Sequence, residues 1–140
     1  RRAHPNHSRA GRMPLLAPIS VGELLDKIAI LEIKADAIRE PARRANVLHE
    51  LAALRAVRRR EVAANPELDP LCAELKAVNR RLWDIEDRLR AHERDGCFDA
   101  RFIELARSVY RENDRRAVLK RHINELAGSE VVEEKSYGRP

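Results

Sequence analysis

The amino-acid sequence predicts an all-α protein, an antiparallel up-and-down bundle of about four helices arranged as two packed helical hairpins. Apolar residues recur every three or four positions through long segments, which is the pattern of helices that bury one face. Short connections containing Pro or Gly separate these segments, and such connections make consecutive helices antiparallel neighbours. No segment alternates apolar and polar residues as a half-buried strand does.

The first predicted helix covers residues 21–38 and has a clear start signal. Ser20 and Glu23 fit a capping box, in which each side chain accepts a hydrogen bond from the other residue's backbone N–H. The apolar residues of its main face, spaced by three and four, are Val21, Leu24, Ile28, Leu31, Ala35 and Ile38. This spacing is the seam of a helix that packs lengthwise on another, as in a coiled coil.

Helix 1 carries a second apolar group on its opposite face, formed by Ile30, Ile33 and Ala37. One neighbouring helix cannot cover both faces. Either helix 1 is central, with Ile30 and Ile33 covered by helix 3 or helix 4, or the group is a two-fold interface between subunits. Because so short a bundle has few helices to surround helix 1, the sequence favours the second alternative and predicts a homodimer through this self-association patch.

Helix 2 is predicted over residues 42–64, with Pro41 in its first turn. Its inward residues are Val47, Leu48, Leu51, Leu54 and Val57. Helix 3 is predicted to follow Asp69 as N-cap and to reach Arg94. Its seam consists of Leu71, Leu75, Val78, Leu82, Ile85 and Leu89. Helix 4 is predicted to run from the N-cap Asp99 to Ala127, where Gly128 can take the left-handed conformation that closes a helix.

Three segments follow from these limits: a disordered basic leader over residues 1–18, a bundle domain over residues 19–128 and a polar C-terminal tail over residues 129–140. The leader contains four arginines and no acid up to residue 12. We interpret it as a non-native or over-extended segment, with the natural start near Met13, and the alternative is a functional basic arm. Of the formal net charge of +5, only +1 remains from Met13 onward. Nucleic-acid binding would need a basic surface, so this balance disfavours it.

The longest apolar stretch is interrupted by charged residues, so we expect no segment to cross a membrane. Cys72 and Cys97 occur without an export signal, which indicates reduced thiols in a cytoplasmic protein. No Glu-x-x-His pair is present for a metal site in the bundle core, and His92 with Cys97 supplies two ligands where a structural zinc site needs four. We therefore assign no catalytic, cofactor-binding or metal-binding residue.

The polar stretch 111–116 interrupts the apolar pattern of helix 4 and places Asn113 toward the core. A polar group in a bundle core is costly unless its hydrogen bonds are satisfied. One interpretation is a pocket for a small anion. Its candidate residues are Lys27, Asn79, Glu86, Arg107, Asn113 and Lys120. The other is an asparagine that fixes helix register, flanked by arginines whose stems cover the core edge.

Several stretches together resemble a bacterial family known only as a domain of unknown function. They read SVGELLDK from Ser20, LEIK from Leu31, LWDIED from Leu82, FIELARSVY from Phe102, NDRRA from Asn113 and EEKSY from Glu133. The resemblance implies no activity. The sequence as a whole favours a non-enzymatic interaction or accessory protein that acts as an oligomer or adaptor. The alternatives are a small-molecule-binding enzyme or sensor that uses the helix 4 pocket, and weak nucleic-acid binding through basic patches.

Overall fold

The computed structural model describes residues 14–138, which contain four helices and no strand. The helices are α1 (Val21–Ala37), α2 (Pro41–Glu61), α3 (Leu68–Asp95) and α4 (Ala100–Ala127). The predicted all-α bundle of about four helices is confirmed. Most of the predicted leader, residues 1–13, lies outside the described residues.

Helix α1 is the centre of the bundle, because it packs against each of the other three helices. The fourth packed pair is α3 with α4, so two helical hairpins, α1/α2 and α3/α4, meet through α1. The core lies at this junction, where Leu75 of α3 and Ile123 of α4 have no solvent exposure. Val47 and Leu51 are the buried residues of α2, which forms one outer side of the bundle.

The start of α1 is capped partly by its own sequence and partly by α4. Ser20 Oγ accepts a hydrogen bond from the Glu23 backbone N–H at 2.9 Å, as the capping box predicts. The predicted reciprocal bond, from the Ser20 backbone N–H to the Glu23 carboxylate, is wrong, because that carboxylate binds Lys120 on α4 instead. The two N–H groups before that of Glu23 donate to residues at the end of α4 and just after it: that of Gly22 to Asn124 Oδ1 at 2.6 Å and that of Val21 to Ser129 Oγ at 3.1 Å.

Two predicted helix limits differ from the structure by more than one residue. Helix α2 ends at Glu61 rather than Ala64, because Val62 has extended backbone with ψ of 117°. Helix α3 begins at Leu68, before the predicted N-cap Asp69, which lies in the first turn of the helix. Pro70 is accommodated there because the first N–H groups of a helix have no intrahelical acceptor.

The turn between α3 and α4 follows the prediction closely. Asp99 Oδ1 accepts a hydrogen bond from the Phe102 backbone N–H at 3.0 Å and caps α4. Gly96 ends α3 with φ of 62°, and Gly128 ends α4 with φ of 63°. Both values lie in the left-handed region that glycine enters without a steric penalty.

The α3/α4 hairpin is longer than the helix on which it packs. Each of its helices has 28 residues and α1 has 17, lengths of about 42 Å and about 26 Å at the rise of an α-helix. We call residues 80–115 of this hairpin the distal hairpin. All of these residues are described, and Leu105 alone among them is buried. The α1/α2 hairpin therefore covers mainly the other, proximal part of α3 and α4.

Candidate functional site

A buried carboxylate lies where α1, α3 and α4 meet. Asp26 has 2% of its surface exposed. Its Oδ1 accepts a hydrogen bond from Asn79 Nδ2 at 2.7 Å, and its Oδ2 lies 3.6 Å from both Arg116 Nε and Lys120 Nζ. Arg116 also donates to Asn79 Oδ1 at 3.3 Å. Two cations and an amide thus compensate one carboxylate that has lost nearly all its hydration.

The polar network continues to the start of α1 and to residues beyond α4. Lys120 joins Asp26 to Glu23. Glu133 accepts hydrogen bonds from Ser20 Oγ and Asn124 Nδ2. Burial by itself raises the pKa of Glu133. The bond from Ser20, a bond from the backbone N–H of Glu133 itself, the charge of Lys120 and the bond from Asn124 together outweigh burial and leave this pKa lowered. The segment after α4 therefore takes part in the network.

Two concavities border the network and share Asn113 and Arg116. The smaller has a volume of about 80 Å³ and includes Lys120, Arg121 and Lys135 in its wall. The larger is an open groove of about 430 Å³ between α3 and α4. Its apolar wall is formed by Ile30, Leu82, Trp83 and Val109, and its polar wall by Asn79, Glu86, Asp87, Arg90, Asn113 and Arg116.

The structure brings together some of the predicted pocket residues and separates others. Asn79, Glu86 and Asn113 line the groove, and Asn113 lines the smaller concavity with Lys120. Two of the six lie apart from the concavities. Lys27 is exposed and 3.8 Å from Glu23 on its own helix, and Arg107 is exposed and 3.8 Å from Glu104 on its own helix.

The cations around the smaller concavity already have partners. Arg116 and Lys120 bind Asp26, Arg121 lies 3.0 Å from Glu134, and Lys135 donates to the Asn113 carbonyl oxygen at 3.4 Å. No buried side-chain nitrogen or oxygen of residues 14–138 lacks a hydrogen-bond partner. An anion entering here would compete with carboxylates, so the arrangement fits a structural polar centre better than a prepared anion site.

Asp26 is not among the predicted pocket residues, although the sequence contains a signal for it. Asp26 precedes Ile30 by four positions and Ile33 by seven, so it continues the second apolar face of helix 1. A charged residue in line with buried apolar residues needs a partner of opposite charge. The roles of Asn124 and Glu133 had no comparable signal, because they depend on contacts with α1 from more than 100 positions away.

The predicted self-association patch is divided by the fold. Ile33 has 4% exposure and is covered within the subunit, which is the placement of the first alternative, a central helix 1. Ile30 is half-buried and lines the groove, and Ala37 is exposed at the end of α1. Association through Ile30 and Ala37 stays a prediction.

The distal hairpin has an apolar surface that α1 and α2 leave uncovered. Phe98, Ile103 and Tyr110 are exposed by 55%, 57% and 40%. The half-buried large apolar residues of the same region are Leu82, Trp83, Ile85, Leu89, Phe102 and Val109. Two helices in contact cannot cover all of each other's apolar faces.

The distal hairpin also contains nine Lys and Arg residues and nine Asp and Glu residues, so its formal charge is zero.

These features define an all-α protein of two packed helical hairpins with a satisfied polar centre and an uncovered distal end. The chain belongs to DUF6165, a family of unknown function whose model matches residues 15–140. The resemblance to an uncharacterised family is thereby confirmed. No curated protein matches the chain, and no solved structure does. None of the helices within residues 14–138 combines the length and apolar character needed to cross a membrane.

Proposed function

We propose that this protein is a non-enzymatic interaction protein that associates with a second copy of itself through the distal hairpin. The proposal rests on the small amount of burial in the distal hairpin, where Leu105 is the one buried residue among residues 80–115. A hairpin that exposes this much apolar surface is stabilised when further helices cover it. The proposed function is therefore assembly, with the α1/α2 hairpin as the support that holds the distal hairpin in place.

The geometry of the distal hairpin favours a second copy over another occupant. Two antiparallel hairpins placed side by side make a four-helix bundle, which is the arrangement that covers the apolar face of each. A two-fold interface brings the same surface of both subunits together. Since the distal hairpin has equal numbers of acidic and basic residues, its net charge does not oppose this pairing. The same neutrality gives no attraction for a polyanion such as nucleic acid.

The polar centre supports a role in assembly rather than catalysis. Its buried carboxylate, amides and cations satisfy one another. A catalytic acid or base needs access to a reacting group, and Asp26 is 2% exposed. The network instead joins α1 to α3 and α4 and so orients the hairpin that we propose as the interface.

The proposal predicts that wild-type protein is a dimer at micromolar concentration by light scattering or sedimentation equilibrium. Ile103 and Tyr110 are exposed and lie seven residues apart on one side of α4. Replacing both with Glu should produce a monomer of unchanged helicity, because two buried carboxylates would oppose the interface while the exposed positions leave the fold intact.

The matched control is Val118→Glu. Val118 is 68% exposed on the same helix but outside the distal hairpin, so this variant should remain a dimer. A monomeric wild-type protein would refute the proposal, and so would a double variant that dimerises as strongly as the wild-type protein.

A further inference from the structure

Three metal-ligating side chains meet at the turn between α3 and α4. A ring nitrogen of His92, the Sγ of Cys97 and a carboxylate oxygen of Asp99 lie within 4.8 Å of one another. His92 belongs to the last turn of α3, Asp99 is the N-cap of α4, and Cys97 lies in the connection between them. We infer that this turn is a binding site for a single Zn²⁺ ion with these three protein ligands and water in the fourth position. This site is separate from the polar centre and goes beyond the proposed dimerisation.

The ligand atoms lie close enough for small side-chain movements to bring them onto one tetrahedral ion. Zinc bonds of about 2.0–2.3 Å place neighbouring ligand atoms about 3.3–3.6 Å apart. Cys97 Sγ lies 3.5 Å from Asp99 Oδ2, and His92 Nδ1 lies 3.7 Å from the other oxygen of that carboxylate, Oδ1. One ligand atom from each of the three residues lies within 4.8 Å of the other two, so small side-chain rotations are needed to bring all three onto one ion. An imidazole nitrogen, a thiolate and a carboxylate are also the three ligand types that zinc accepts in proteins.

The surrounding residues hold these side chains in place. Asp99 Oδ1 accepts the capping bond from the Phe102 backbone N–H, while Oδ2 is the oxygen that faces Cys97. The His92 ring packs on the Phe102 ring with centroids 5.9 Å apart. Gly96 allows the turn to take the left-handed conformation, with φ of 62°. Groups that orient the ligands in this way strengthen metal binding.

The site is accessible to an ion from solution. Asp99 has 53% of its side chain exposed and His92 has 19%, and Cys97 is exposed. His92 Nδ1 lies 2.8 Å from the Cys97 carbonyl oxygen, and the effect of zinc on this contact depends on which ring nitrogen binds the ion. It breaks if zinc binds Nδ1. It is kept if zinc binds Nε2, and the ring then has the hydrogen bond to a carbonyl that metal-bound histidines usually make.

The test is a titration of the full-length reduced chain with Co²⁺, followed by competition with Zn²⁺. Bound Co²⁺ reports a thiolate ligand through a sulfur-to-metal charge-transfer band. We expect one equivalent to give this band and Zn²⁺ to remove it. Cys97→Ser should abolish the band, and His92→Gln and Asp99→Asn should each weaken binding at least about tenfold, the scale at which even supporting groups affect metal affinity. Asn keeps the N-cap function of Asp99.

The matched control is Cys72→Ser, which replaces the half-buried thiol on α3 that lies beside Arg58. It should leave the band and the affinity unchanged. The inference is overturned if wild-type protein gives no charge-transfer band, if Cys72→Ser loses the band, or if neither His92→Gln nor Asp99→Asn weakens binding. Binding that survives Cys97→Ser with wild-type affinity also overturns it and points to other ligands, such as the two histidines of the leader sequence, His4 and His7.

Discussion

At the scale of single residues, the polar centre depends on a buried charge with several partners. Asp26 is almost completely removed from water, and its carboxylate is compensated by Arg116, Lys120 and Asn79. Such groups contribute little when intact, because desolvation offsets much of the attraction between them. Removing the carboxylate is much more costly, since the Asn79 amide and the half-buried Arg116 and Lys120 each lose a partner.

We therefore predict that Asp26→Ala lowers the free energy of unfolding by roughly 3–5 kcal/mol, the range for breaking a buried ion pair. Urea denaturation followed by circular dichroism measures this change. The control is Asp36→Ala on the same helix, where the carboxylate is 68% exposed and 3.7 Å from Arg80. Its removal should change stability by about 1 kcal/mol or less. Equal effects of the two substitutions would argue against the buried network as a source of stability.

At the scale of helices, α1 and α4 approach each other closely at Gly22. A Cβ atom added to Gly22 would lie 2.6 Å from the Lys120 carbonyl oxygen and 2.9 Å from Asn124 Oδ1. Because the first of these neighbours is backbone, the two helices would have to separate. Glycine is needed here for close approach and for the N–H bond to Asn124.

The prediction that follows is that Gly22→Ala destabilises the protein by roughly 1–3 kcal/mol, the usual cost of overpacking. In a helix free of such contacts the same change would stabilise by about 0.5–1 kcal/mol, so the sign of the effect identifies the cause. Thermal unfolding of the variant measures it. Gly138→Ala is the control, since a Cβ there has no neighbour within 4 Å, and its unfolding temperature should equal that of the wild-type protein. A stabilised Gly22→Ala protein would show that α1 and α4 pack less closely.

At the scale of the whole molecule, the fold consists of a packed proximal part and a distal hairpin with little burial of its own. The buried residues of α3 are Leu68, Leu71, Leu75, Val78 and Asn79, all in its first half. Three of the four buried residues of α4 lie in its last third, at Leu119, Ile123 and Asn124. Stability therefore concentrates around α1, while the distal hairpin contributes mainly exposed and half-buried surface.

This division predicts the result of shortening the hairpin. Deleting residues 84–90 and 104–110 removes seven residues from each helix and keeps both the seam and the turn in register. The shortened protein should still unfold cooperatively, because α1 and the proximal core are unchanged, but it should be a monomer. Calorimetry and light scattering measure the two properties. A shortened protein that fails to fold would place the distal hairpin within the folding core, and one that remains a dimer would place the interface elsewhere.

Local sequence signals predicted the helices well, because caps and apolar periodicity act within a few residues. Ser20, Asp99 and Gly128 act at the helix ends where the sequence placed them. The predicted N-cap of α3, Asp69, was wrong. The backbone N–H groups of Leu68 and Asp69 donate to the carbonyl oxygens of Asn65 and Pro66, and these bonds let the helix begin before Asp69. Side-chain chemistry alone, a favourable Asp followed by Pro, does not indicate such backbone bonds.

By itself the sequence determined the fold class, the four helices and the presence of a polar interruption in helix 4. Only the tertiary structure decided what that interruption contacts. Asp26 joins Arg116 and Lys120, whereas Arg107 points away from them and pairs with Glu104. The structure also placed Ile33 inside the subunit and brought Asn124 and Glu133 to the start of α1. The physical reason is that periodicity assigns each residue to a face of its own helix, while the neighbour of that face depends on how the helices cross.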